Sequence, residues 1–212
     1  MSDKKNIILV GYSGHGYVVA DVALENKWNI LGYTEKNELK YNPYNLIYKG
    51  FEMNDQFFSS QTDQIEYVIG IGNNFIREKV FNSILQNNKK ISTLISPSAT
   101  ISNSVTLGKG IFVNKNVTIN ALAKVGENVL LNTGCIIEHE CNIGDSVHIA
   151  AGAVLGGKVY IGKRSFIGAN SFIKQGVIIG DDVIVGAGTV ILQNIPDRKI
   201  VVGNPSRFIK NE

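Results

Sequence analysis

The sequence predicts a small α/β unit followed by a long parallel β-helix. Three observations carry this. From Ile95 to Ile191 every sixth residue is Ile, Leu or Val, at seventeen positions in succession. Around these anchors the pattern repeats. Two residues before them the chain is small or β-branched, as at Val117, Ala123, Val129, Cys135, Cys141, Val147, Ser165 and Val183. Just after them it is mostly Gly or Asn, as at Gly108, Asn114, Gly126, Asn132, Gly144, Gly162 and Gly180. Ahead of the repeat, residues 6–92 alternate short apolar runs with helical patterns.

A period of six fits neither a 3.6-residue helix nor an alternating strand, and is the signature of hexapeptide coils. Each hexad reads as one short strand and one corner, and three hexads make a triangular coil of eighteen residues. The Gly or Asn after most anchors tolerates the positive φ that a corner there is expected to need. A little over five coils, stacked at strand spacing, give a prism roughly 26 Å long.

The N-terminal elements follow in order. Residues 6–12 read as a buried strand. Gly11, Ser13, Gly14, His15 and Gly16 form a turn, with a helix from Tyr17 to Asn26. Residues 30–33 are a second strand ending near Glu35, and residues 36–64 carry few clear elements. Residues 67–72 are a third strand, Asn73-Asn74 caps a helix over 75–86, and residues 91–95 lead into the prism. The domains are 1–92 and 93–212. This is a small Rossmann-like β-α-β arrangement. A helix start after glycines suits phosphate, and Glu35 suits a ribose or base. The spacing is G-x-x-G-x-G rather than G-x-G-x-x-G, and the unit is half a dinucleotide domain, so a mononucleotide fits better.

Composition narrows the partners. The formal net charge of +3 is too small to point to nucleic acid. Residues 151–212 hold eight basic and four acidic side chains, a local surplus suited to a polyanionic small ligand. No secretory leader and no apolar run of transmembrane length is read, so a cytoplasmic location without a membrane span is expected. Cys135 and Cys141 fall at equivalent inward positions and read as core residues.

Of the three histidines, His15 lies in the N-terminal turn. His139 follows the anchor Ile137 by two residues, between Glu138 and Glu140, and points outward. A carboxylate beside an imidazole fixes its tautomer and raises its basicity, as a general base needs. His148 precedes the anchor Ile149 and is also expected to face outward. It lies nine residues after His139, half a coil, so one chain puts the two on opposite sides of the prism. Around a threefold axis His139 of one chain can face His148 of its neighbour, which makes a homotrimer part of the mechanism.

The runs Val10-Gly11-Tyr12-Ser13-Gly14-His15-Gly16, Ile71-Gly72-Asn73-Asn74-Phe75-Ile76-Arg77, Leu131-Asn132-Thr133 and Ile137-Glu138-His139-Glu140-Cys141-Asn142 resemble one family. It is the bacterial sialic-acid O-acetyltransferase (NeuD-like) family of hexapeptide-repeat acyltransferases, nearest its UDP-4-amino-sugar N-acetyltransferase branch of PglD type. The resemblance spans nearly the whole chain. It implies a left-handed β-helix, a trimer with sites between neighbouring prisms, and acetyl-CoA as co-substrate without a metal. It implies His139 as general base oriented by Glu140, with Asn132 and His148 helping to hold substrate and acetyl group. Backbone N–H groups near Gly156-Gly157 are the expected oxyanion donors. Ser13, Gly14, His15, Gly16, Glu35 and Asn73 are expected at the nucleotide sugar. Lys163 and Lys174, with Arg164, Arg198 and Lys199, are expected near the coenzyme A phosphates. Tyr33-Thr34-Glu35-Lys36 departs from the aspartate pair frequent in the family, which leaves the nucleotide open.

The expected activity is N-acetylation of a nucleotide-linked 4-amino-4,6-dideoxy sugar, with a UDP link. O-acetylation of a sialic acid or related sugar is the alternative. An interface zinc site would need three imidazoles, and the repeat region offers two. A non-enzymatic scaffold would bind no coenzyme A.

Overall fold

The computed structural model describes residues 4–54, 56–62 and 64–209. The chain divides into two compact units after Pro97.

The first unit is a parallel four-stranded sheet in the order β2-β1-β3-β4, with β1 Asn6–Val10, β2 Asn29–Thr34, β3 Glu66–Ile69 and β4 Lys90–Ile91. Ile7, Ile8, Leu9 and Val10 are all fully buried. A continuous apolar run is what a central parallel strand needs, because both of its faces are covered. On one side Val80, Phe81 and Ile84 of helix α2, Asn74–Gln86, pack with Ile8, Val10, Tyr67 and Ile69. Phe57 and Phe58, from the stretch that read as featureless, join this core. The other helix, α1, spans Gly14–Glu25.

α1 begins three residues before its expected start. The Tyr17 N–H donates to Ser13 O at 2.9 Å, so Gly14–Gly16 is already the first turn. The glycines explain why the backbone can do this. A Cβ on Gly16 would stand 2.3 Å from Gly11 O, and one on Gly70 would stand 2.5 Å from the same oxygen. Three glycines thus let the ends of β1 and β3 and the start of α1 close on one another. At α2 the capping expectation holds, since Asn73 Oδ1 accepts from the Ile76 N–H at 3.0 Å.

The second unit is a parallel β-solenoid of hexapeptide coils. Its two-residue strands stack on three faces with partners eighteen residues apart, as in Lys124↔Asn142, Leu130↔His148 and Ile136↔Val154. Every anchor from Val113 to Ile191 is buried, as are the small residues two before them. Inward polar side chains are satisfied: Ser165 Oγ donates to Gly180 O at 2.7 Å, and Ser171 Oγ to Gly168 O at 2.7 Å.

The corners correct one expectation. Positive φ falls three residues after each anchor from Leu107 to Val185, at Gly110, Asn116, Leu122, Asn128, Gly134, Glu140, Ser146, Gly152, Lys158, Arg164, Asn170, Gly176, Asp182 and Gly188. The glycine directly after the anchor serves a different purpose. In the column Gly108, Gly126, Gly144, Gly162, Gly180 an added Cβ would meet the next coil at 3.0 Å or less. These glycines set the coil spacing. The stack also runs past Ile191. Ile195 bridges to Ile179, and Ile200–Val202 pairs with Ile184–Val185 before Arg207–Ile209 folds back antiparallel over that edge.

Candidate active site

His139 stands at the corner beyond the strand Ile136–Ile137, with nearly half of its side chain exposed. Glu140 takes the left-handed corner position at φ 60°, and its Oε2 lies 3.0 Å from His139 Nδ1. Lys158 Nζ is 3.7 Å from the same oxygen. With Nδ1–H donated to the carboxylate, Nε2 carries the lone pair. That nitrogen lies over Gly157: a Cβ there would stand 2.4 Å from Nε2. The Gly157 N–H makes no hydrogen bond among the described residues. A base atom and an uncommitted backbone donor therefore meet at one corner.

Other expected residues fare differently. His148 lies in the strand His148–Ile149, on a different face from His139. Its expected surface exposure is corrected: the residue is only 8% exposed. The cause is its neighbours in the outward row, Leu130 and Phe166, the latter edge-on at 4.9 Å between ring centres. Asn132 joins an asparagine ladder, its Oδ1 accepting from Asn114 Nδ2 at 2.9 Å and from the Thr133 N–H at 2.8 Å. Lys163 pairs with Asp145 at 3.3 Å, whereas Lys174 is exposed. Arg164 makes a two-pronged bond to Asp182, so this expected phosphate ligand is committed to the next coil. Burial pushes the Cys135 thiol up to about 12 and the Cys141 thiol up to about 11, so neither is a thiolate nucleophile.

In the first unit a cleft of about 390 Å³ opens at the C-terminal ends of the strands. Its walls are Gly11 and Ser13 after β1, Glu35 and Lys36 after β2, Gly70–Asn73 after β3, Ile76 of α2, and Phe51 with Glu52. This is where open parallel sheets bind ligands. Of the expected contacts, Ser13, Glu35 and Asn73 line it; Gly14, His15 and Gly16 do not. Gly16 packs closely against Gly11. Glu35 Oε1 accepts from the Tyr12 N–H at 2.7 Å, which ties its carboxylate to the β1–α1 turn. Arg77 is 2% exposed and donates from Nη1 to Gly72 O at 3.1 Å and to Ile71 O at 3.3 Å. Burial lowers its guanidinium to about 10, still cationic at neutral pH. It braces the turn that ends at the α2 N-terminus. Burial, with Arg77 adding to it, lowers His15 to about 4, so that ring is neutral.

Comparison with known proteins now decides the class. Residues 6–84 match the PglD N-terminal domain. Residues 122–157 match the bacterial transferase hexapeptide of six repeats, and residues 158–193 the hexapeptide repeat of succinyl-transferase. The chain joins a PglD-type N-terminal domain to hexapeptide repeats, and it is an acyltransferase.

Solved structures agree with this along nearly the whole acyltransferase. The acetyltransferase domain of PglB from Neisseria gonorrhoeae FA1090, in complex with acetyl coenzyme A, is 29% identical with a TM-score of 0.90, covering 97% of this chain and 100% of that one. PerB from Caulobacter crescentus, in complex with CoA and GDP-perosamine, is 28% identical with a TM-score of 0.88, covering 97% of each. WeeI from Acinetobacter baumannii AYE is 25% identical with a TM-score of 0.88, covering 97% and 100%.

Sequence reasoning missed Phe51, Glu52, Ile71 and Ile76 of the acyltransferase's cleft. No local motif marks Phe51-Glu52; tertiary pairing alone brings it there. Among the described residues no group of three or more His, Cys, Asp or Glu is placed to hold a metal ion, and no helix is long and apolar enough to cross a membrane.

Proposed function

We propose that this acyltransferase moves the acetyl group of acetyl-CoA onto the amine of a nucleotide-linked 4-amino-4,6-dideoxy sugar. The observation that carries this is the His139–Glu140 pair, with Nε2 lying over Gly157. A sugar amine is protonated in water and must be neutral to attack. As it attacks the thioester carbonyl, His139 Nε2 takes its proton and Glu140 holds the resulting imidazolium. The Gly157 N–H receives the developing oxyanion. Collapse breaks the C–S bond, and the imidazolium returns the proton to the leaving thiolate. No covalent enzyme intermediate is needed, in keeping with two protonated, buried thiols.

The first unit holds the nucleotide. Ser13, Asn73 and the braced turn at Gly72 sit at two helix N-termini suited to a diphosphate, and Glu35 suits ribose hydroxyls. The complex of PerB with GDP-perosamine supports a nucleotide-linked amino sugar as acceptor; the UDP link rests on the sequence resemblance. The complex of PglB with acetyl coenzyme A supports the donor; the place of exposed Lys174 near its phosphates rests on the sequence resemblance. The active form is a homotrimer in which His139 of one chain works beside His148 of its neighbour.

Thiol release from acetyl-CoA, with product mass, tests this on UDP-, dTDP- and GDP-linked 4-amino sugars and on sialic acid. Release with an amino sugar, and a product heavier by one acetyl group, is expected. Release with the hydroxyl acceptor alone would replace the reading with O-acetylation.

A further inference from the structure

The segment before Phe51 is laid along the outer edge of β2. Tyr33 N–H donates to Ile47 O at 2.9 Å, Lys49 N–H to Tyr33 O at 2.8 Å, and Glu35 N–H to Gly50 O at 3.2 Å. Tyr48 Oη donates to Glu35 O at 3.1 Å. These bonds carry Phe51 and Glu52 to the β2 side of the cleft. The two helix N-termini follow β1 and β3. The cleft runs from those termini past Glu35 to Phe51 and Glu52, leaving room for a nucleoside on the β2 side.

Glu52 is anomalous there. It is only 5% exposed, it lines the cleft, and its buried Oε2 has no hydrogen-bond partner. An unpartnered buried carboxyl oxygen destabilises a fold unless a ligand satisfies it. Phe51, half-buried beside it, offers an aromatic face.

Building on the nucleotide-sugar reading, we propose that Glu52 reads the nucleobase, accepting the ring N–H of a keto base (uracil, thymine or guanine) and rejecting adenine and cytosine, with Phe51 against the ring face. An ionised carboxylate is acceptor-only. Keto bases present a ring N–H on their pairing edge, whereas adenine and cytosine present a bare ring nitrogen. Two acceptors facing each other in a buried site leave both unpaired, and such mismatches discriminate strongly. Burial pushes the Glu52 carboxyl up, with Glu35 adding to the rise. A donor from the ligand favours the ionised form, and mildly alkaline pH is the condition to use.

Titration calorimetry of uridine, thymidine, guanosine, adenosine and cytidine diphosphates tests this on wild type and on Glu52→Gln. At least one keto nucleotide should bind ~10-fold or more tighter than the adenosine and cytidine compounds. Glu52→Gln, whose amide both donates and accepts, should remove most of that gap at unchanged fold by circular dichroism. On wild type alone, N-methylation of the ring N–H of the best nucleotide should remove most of its affinity. Equal binding of all five, a gap that survives Glu52→Gln, or full affinity of the methylated analogue each overturns the assignment. Binding of no nucleoside diphosphate overturns the nucleotide-sugar reading itself, a result distinct from binding without discrimination.

Discussion

Gly157 has no side chain where His139 has its ring: a Cβ on Gly157 would stand 2.4 Å from His139 Nε2 and 2.5 Å from Cε1. One coil therefore provides the floor for the base of the coil before it. Gly157 does not have a positive φ, so its backbone tolerates alanine. Gly157→Ala must push the imidazole aside, and a long, exposed side chain moves at little cost. The expected outcome is a melting temperature near wild type and a turnover reduced ~10-fold or more, because misplaced general bases lose their effect. Calorimetry beside steady-state kinetics checks both halves.

His15 makes stability depend on pH. Its folded value of about 4 lies below the ordinary 6.5, so the unfolded chain binds a proton that the folded chain does not. Stability is full above pH 6.5 and falls progressively as pH drops toward 4, by up to about 3 kcal/mol. Denaturant unfolding across that window should show a smaller acid loss for His15→Asn than for wild type. Equal losses in both proteins would remove His15 as the cause.

The trimer is tested by complementation. His139→Ala and His148→Ala chains, each largely inactive alone, are mixed, and exchange is verified with mass-tagged subunits. If the residues meet across an interface, some mixed trimers hold an interface with both native histidines, and activity returns. Confirmed exchange without recovery contradicts a shared site. His148 is only 8% exposed in the chain, so His148→Ala is first checked for stability.

Much of this molecule was legible because its physics is periodic. An eighteen-residue coil repeats one inward environment, so Val147, Ser165 and Val183 declare their burial by register alone. The same register placed His139 and Glu140 outward at a corner. What register does not encode is cover and commitment. His148 is outward by spacing yet buried by Leu130 and Phe166, and Arg164 is basic by composition yet held by Asp182. In the first unit, the glycines signalled a tight turn correctly. Whether Gly16 touches a ligand or Gly11 depends on a backbone approach that spacing cannot show. Phe51 and Glu52 reach the cleft only through hydrogen bonds to β2, a non-local pairing with no periodic trace.

The proposed acetyl transfer turns on His139 as its base. Turnover of His139→Ala with both substrates saturating, beside its affinity for acetyl-CoA, measures this most directly. A kcat reduced roughly 10²–10⁴-fold with acetyl-CoA binding retained is expected, with a smaller loss for Glu140→Gln, which disturbs orientation but keeps the imidazole. A kcat near wild type in His139→Ala would contradict it.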